Sequence, residues 1–229
     1  MTTHPLTAPG VPSTHAACHP AAAVTRSLLG YGVLAGPLYV TTWLAQALTR
    51  DGFDLSRHPA SLLSNGDLGW IQVANFLASG SMTVAAAVGM RRALGTGRGG
   101  RWVPRLLGAY GAALVAAGLF RADPMDGFPV GTPAGPAEAS WHGVLHFASS
   151  GVGFPALVAA CLVMARRYAG LGQRGWAACS AGTGVAFLAA FAGIASGSQQ
   201  PAVVGAFSAA VVLTWAWIAA VSARLYRQV

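Results

Sequence analysis

The sequence predicts an all-α polytopic membrane protein, a bundle of six transmembrane helices with both termini in the cytoplasm. Three observations carry this prediction. Of 229 residues, 54% are hydrophobic and 9% charged, against about 25% charged in ordinary soluble domains. Six stretches approach the roughly 20 apolar residues needed to cross a hydrocarbon core of about 30 Å. The chain has no lysine, and most of its arginines fall between alternate apolar stretches.

Residues 1–26 are rich in Ala, Pro, Thr and Gly, with His4, His15 and His19 scattered among them. Such a segment buries too little apolar surface to offset the entropy of ordering it, so a disordered cytoplasmic tail is expected. The first span, 27–48, is too long for a secretory h-region and reads as an uncleaved anchor despite Ala45-Gln46-Ala47. The second, 68–90, follows Asp67, a candidate N-cap. The third, 103–120, is the shortest and carries Pro104 in its first turn, where a missing amide does little harm. The fourth, 142–165, follows Ser140, which can cap its free amides. The fifth and sixth occupy 176–196 and 202–222, and residues 223–229 form a second cytoplasmic tail. Lipid supplies no hydrophobic drive for helix association, so close contacts are expected at Gly30, Gly32, Gly36, Gly108, Gly111, Gly182, Gly184 and Gly193.

Orientation follows from Arg26, then Arg91, Arg92, Arg98, Arg101 and Arg105, then Arg166, Arg167 and Arg174, then Arg224 and Arg227. These eleven of fourteen arginines share one side, which the positive-inside rule assigns to the cytoplasmic face of the plasma membrane. Arg50, Arg57 and Arg121 remain outside. Trp43, Trp70 and Trp141 near outer span ends, with Trp102 and Trp176 near inner ones, match rings at headgroup level. The net charge of +8 therefore reports topology and attraction to membrane lipid. Short juxtamembrane clusters without interleaved aromatics or a soluble domain exclude a nucleic-acid partner. Cys18, Cys161 and Cys179 all lie away from the outer loops, so no disulfide is expected.

All six carboxylates, with His58, His142 and His146, fall in or beside two outer loops. In the first, Pro59 can start a short helix that Asn65-Gly66 ends, laying Leu62 and Leu63 against the bundle. At the entry to the fourth span, His142 and His146 stand one helical turn apart, about 5–6 Å between Cβ atoms, close enough to converge on one metal. With His58 as third ligand and water or Asp123 completing the shell, the set fits zinc or another divalent metal in an open catalytic site. Asp123 or Ser61 would assist a metal-dependent hydrolase or transferase acting on a lipid or membrane-linked substrate. Gln72 and Asn75 from the second span, with Arg121 and Asp126, would line the pocket.

The same residues also read as structure: histidines bonding loop carbonyls, Asp123 as a cap, Arg121 paired with a carboxylate, and Gln72 and Asn75 as interhelical glue. A non-enzymatic scaffold or a small-solute transporter is the alternative function. No acid or lysine lies mid-span, which weighs against proton-linked transport, and a retinal Schiff base is excluded for want of any lysine.

Three segments carry a family resemblance. The string His58-Pro-Ala-Ser-Leu-Leu-Ser-Asn-Gly-Asp-Leu-Gly-Trp-Ile-Gln-Val-Ala-Asn-Phe, then Arg121-Ala-Asp-Pro with Gly127-Phe-Pro, then His142-Gly-Val-Leu-His146, resembles the bacterial domain-of-unknown-function family 998. The resemblance spans about residues 27–222 and implies a small integral membrane protein without an assigned activity. A looser analogy links the histidines to alkaline ceramidases and adiponectin-receptor-like membrane hydrolases. Those proteins place a histidine pair at this spacing, a third histidine, an Asp and a Ser around zinc. Here the pair sits on span four of six rather than the last of seven, and Asp54 stands where those proteins have Ser.

Overall fold

The computed structural model describes residues 20–136 and 138–229. His4, His15, His19 and Cys18 lie outside the described residues. Six helices follow in order: α1 (Pro20–Thr49), α2 (Gly69–Leu94), α3 (Arg98–Leu119), α4 (Trp141–Gly170), α5 (Arg174–Ala195) and α6 (Pro201–Tyr226). A short 3-10 helix, Ala60–Ser64, lies between α1 and α2. All six helices are long and apolar enough to cross a membrane. Most of them outrun the apolar stretches. α1 begins at Pro20 rather than at 27, α3 at Arg98 rather than at 103, and α4 continues through Arg166 and Arg167 to Gly170. Arginine is a good helix former, and a helix that satisfies its own backbone has no reason to stop where the apolar run does.

Each helix packs against its neighbours in sequence, and α6 closes the ring on α1. The pairing is antiparallel throughout. Gln46 meets Gln72, Gly80 meets Gly111, Ala117 meets His146, Cys161 meets Gly184, Ser180 meets Trp217, and Trp215 meets Gly36. Aromatic rings fill the middle: Tyr39 stacks on Trp215 at 5.0 Å between centroids, and Tyr110 reaches the same indole from across the ring at 6.0 Å. The long connections α1–α2 and α3–α4 form one end of the bundle, which carries every acidic side chain. The other end carries the eleven arginines.

Small residues set the helix separation. A Cβ built on Gly80 would lie 2.7 Å from the Gly111 carbonyl oxygen, and one on Gly111 would lie 2.8 Å from that of Gly80. Gly30 and Gly182 have open surroundings instead, so the expectation of close contacts there is corrected. Both belong to helices that are apolar all round, whose sequence pattern leaves the inward face undefined.

Two further expectations change. Trp43 is buried in the core at 3% exposure, whereas Trp70, Trp102 and Trp141 are exposed as interfacial rings should be. Asp67 does not cap α2, which starts after Leu68 with no side-chain cap. The chain enters α2 through a turn in which the Gly69 amide donates to the Gly66 carbonyl at 2.9 Å, with Gly69 pressed onto the Ser64 backbone. Asp67 is left exposed.

Candidate functional site

The acid-bearing end is an ordered cap made by the two long connections. Just past α1, Arg50 donates from Nη1 to the Leu63 carbonyl and from Nη2 to the Asn65 carbonyl, both at 2.6 Å. Its guanidinium lies 4.9 Å from the centroid of the Phe128 ring. The Asn65 amide donates to the carbonyls of Leu62 and, across to the second connection, Ala122 at 3.0 Å. These donors satisfy the carbonyls at the C-terminal end of the 3-10 helix, which starts after Pro59 as the sequence suggests and buries Leu62 and Leu63.

Asp54 organises the turn before that helix. Its Oδ1 accepts from the Ser56 hydroxyl at 2.7 Å and the Ser56 amide at 2.8 Å, a local Asx turn. These bonds hold the Asp54 carboxyl below its usual range, the Ser56 hydroxyl first. The Asp54 carbonyl accepts from the amides of Arg57 and His58, and this folds the imidazole back: the Asp54 amide donates to His58 Nδ1 at 2.9 Å. Because Nδ1 is the acceptor, the neutral ring carries its proton on Nε2, which donates to the Asp126 carbonyl at 3.0 Å. His58 is 2% exposed, between the rings of Phe53 and Phe128.

Asp126 is the counterpart on the second connection. It adopts φ 55°, the left-handed region, directly before Gly127 at φ 87°, a conformation that aims its carbonyl at His58. Its amide donates to the Gly135 carbonyl at 2.9 Å. Its carboxylate is gripped by Arg57, Nη2 to Oδ1 at 2.8 Å and Nε to Oδ2 at 3.2 Å, which is the ion pair found among the described residues. Arg57 thus takes the partnership considered for Arg121, which is exposed at the start of the second connection.

Arg57 lowers the Asp126 carboxyl below its ordinary value of 3.8. A depressed carboxylate contributes stability that is complete above its unfolded value and is lost as pH falls through the folded one. Limited proteolysis of the cap is therefore expected to stay constant from neutral pH down to the ordinary carboxylate range and to accelerate below it. Asp126→Asn should show no such step from this pair.

At the entry to α4, Asp123 accepts the Ser140 amide on Oδ2 at 2.9 Å and the Ser140 hydroxyl on Oδ1 at 2.5 Å. Ser140 Oγ in turn accepts from the Gly143 amide at 3.1 Å. Ser140 is the expected N-cap, and Asp123 fixes it. A Cβ at position 143 would collide with the Asp123 carboxylate. One turn on, His146 Nδ1 donates to the carbonyls of Ala117 at 3.1 Å and Phe120 at 2.8 Å, groups left without partners where α3 ends. His142 lies against Trp141, the ring centroids 3.7 Å apart and the planes tilted by 31°, and its Nδ1 is buried with no protein partner.

Below the cap, Gln46 Nε2 donates to Gln72 Oε1 at 2.9 Å, joining α1 to α2. Asn75 Nδ2 donates to the Tyr39 carbonyl at 3.1 Å, and Ser79 Oγ to Asn75 Oδ1 at 3.3 Å. Gln72 and Asn75 are therefore interhelical ties, buried at 0% and 4% exposure, and not the walls of an open pocket. Trp43 Nε1, Gln46 Oε1 and Gln72 Nε2 are buried in the same layer without protein partners, sites suited to internal water.

The expected metal set is not brought together. His58 ties the first connection to the second, whereas His142 and His146 serve α4 and α3. Among the described residues no three His, Cys, Asp or Glu side chains group to hold a metal ion. Zinc or another divalent ion would require His58 to give up one of its two backbone bonds. Asp123 is committed to the Ser140 cap, and Ser61 lies half-buried in the 3-10 helix with its carbonyl accepting from Ser64 Oγ. Sequence reasoning missed Arg50, Arg57, Asn65 and Gln46. The signal for the two arginines was their position at the acid-bearing end, apart from the eleven that gather at the other, where each needs a local reason to be.

No match was found among curated proteins or among solved structures. The family model described as "Protein of unknown function (DUF998)" matches residues 33–224, from α1 into α6 and through all three segments that build the cap. The chain is a multi-pass membrane protein and belongs to the DUF998 family.

Proposed function

We propose that this protein is a non-enzymatic membrane scaffold whose histidines and aspartates build a preformed recognition cap on the outer face of the cytoplasmic membrane. One observation carries the reading: both ring nitrogens of His58 bond to backbone of the cap, Nδ1 to its own turn and Nε2 to the opposite connection. A ligand histidine keeps one nitrogen for the metal and uses only the other for orientation. Asp123, the best-placed assisting acid, accepts from both the amide and the hydroxyl of Ser140. The arginine asymmetry supports the orientation, with the acid-bearing end outside and both termini in the cytoplasm.

A second reading is favoured by the buried, unpartnered Nδ1 of His142 one turn from His146. There the pair would hold a divalent metal, zinc included, for hydrolysis or group transfer on a lipid or membrane-linked substrate, with Asp123 or Ser61 assisting. Metal analysis of purified wild type beside His58→Ala and His142→Ala/His146→Ala separates the two. The scaffold reading expects the same negligible metal in all three proteins. One zinc per chain in the wild type, lost in the double variant, would replace it with the hydrolase reading.

A further inference from the structure

The end of the bundle opposite the cap holds eleven arginines and no acidic side chain. No guanidinium there can find a side-chain carboxylate within its own chain. Two recesses at this end are lined by arginines, a smaller one beside Arg224 and Arg227 and a cleft of about 550 Å³ between the start of α3 and the end of α4, lined by Arg98, Gly99, Trp102, Val163, Arg166 and Arg167 among others. Its volume falls within the roughly 300–1,000 Å³ typical of small-ligand sites.

The cleft is built by local sequence. The α2–α3 turn contains Gly95 and Gly97, both at positive φ, and delivers Arg98 to the first position of α3. A Cβ on Gly99 would lie 2.7 Å from Arg167 Cδ, so glycine lets the Arg167 stem lie across the start of α3. Its Nη2 reaches the Leu94 carbonyl at 3.4 Å. Arg98 and Arg166 are exposed, and among the described residues their guanidiniums donate to no protein group. The α3 N-terminus has no side-chain cap and adds its dipole to the same field.

We propose that this cleft binds the phosphate of an anionic glycerophospholipid. Planar guanidiniums suit phosphate oxygens, and basic recesses between helices at the cytoplasmic surface are suited to anionic headgroups. A lipid rather than a free anion is indicated by the apolar part of the lining. Trp102 is 50% exposed, and Val163, one turn deeper on α4 than Arg166 and Arg167, continues the wall toward the hydrocarbon, where acyl chains would lie. Trp102 stands where an interfacial ring belongs.

The test is native mass spectrometry of the full chain in neutral detergent, titrated with phosphatidylglycerol, with phosphatidylcholine of the same acyl chains, and with inorganic phosphate. Phosphatidylglycerol is expected to be retained in preference to phosphatidylcholine and to resist displacement by equimolar inorganic phosphate. Arg98→Gln with Arg166→Gln is expected to weaken retention roughly tenfold or more, and Arg92→Gln with Arg174→Gln, which removes equal charge from the same end outside the cleft, by less than about twofold. All four residues are exposed, so both double variants should unfold at the wild-type temperature. Equal retention of the two lipids would overturn the proposal. So would equal loss in the two double variants, which would assign the effect to diffuse charge, or displacement by inorganic phosphate, which would make the cleft a simple anion site.

Discussion

His58→Ala is expected to destabilise the cap by about 3 kcal/mol, because it removes a buried ring that bonds to backbone on both connections and leaves a gap between aromatic rings. The Asp54 amide loses its acceptor, and the Asp126 carbonyl is left with Arg57 Nη2 at 3.3 Å. Phe53 and Phe128, which meet edge to face at 5.1 Å, lose the imidazole packed beside both. Asp126 then holds its left-handed conformation with fewer contacts to offset the strain. The loss should appear first as protease cleavage within 50–68 and 120–140, since the cap can open while the six helices stay packed. His58→Gln, which can keep one of the two bonds, should fall between the wild type and alanine. A cap in His58→Ala as resistant to protease as the wild type would remove His58 from its structural role.

The second large effect is expected inside the membrane. Gly80→Val forces a branched side chain into a space where even a Cβ would lie 2.7 Å from the Gly111 carbonyl oxygen and 2.8 Å from Val115 Cγ2. The obstructing oxygen is backbone within a helix and cannot rotate away, so α2 and α3 must separate along their contact. The expected loss is about 3 kcal/mol, at the upper end of overpacking penalties. Thermal unfolding in detergent measures it. Gly30→Ala and Gly182→Ala provide the contrast, since neither added Cβ would meet a neighbour. Each should leave stability unchanged or raise it by up to about 1 kcal/mol through helix propensity. If all three substitutions behaved alike, the helix contacts described would be wrong.

These two predictions differ in how far the sequence alone leads to them. Composition suffices for six spans, because nothing but helix is available to a chain with this much apolar length and these few charges. It does not set the helix ends, since an apolar run marks the hydrocarbon and a helix can continue through headgroup-level arginines, as α4 does to Gly170. Nor does it set helix rotation: Gly30 and Gly32 read alike in sequence, yet only Gly32 faces Ser222 and Ala86. Local chemistry is legible in the cap, where Pro59 opens the 3-10 helix and Ser140 caps α4. The tie from His58 to Asp126 joins residues 68 apart and depends on the register of two loops that no local pattern fixes. The histidine pair of α4 is one turn apart as read, but the rings serve backbone and packing, because α3 ends beside them with carbonyls to satisfy.

The structural role of His58 is tested most directly by nitrogen NMR of its imidazole in the purified protein, in mildly alkaline buffer and with chelator added and withheld. The bonds described require a neutral ring with the proton on Nε2 and a bare, hydrogen-bonded Nδ1, unchanged by chelator. A proton on Nδ1, or a metal-shifted nitrogen that chelator restores, would contradict the clasp and return His58 to the metal.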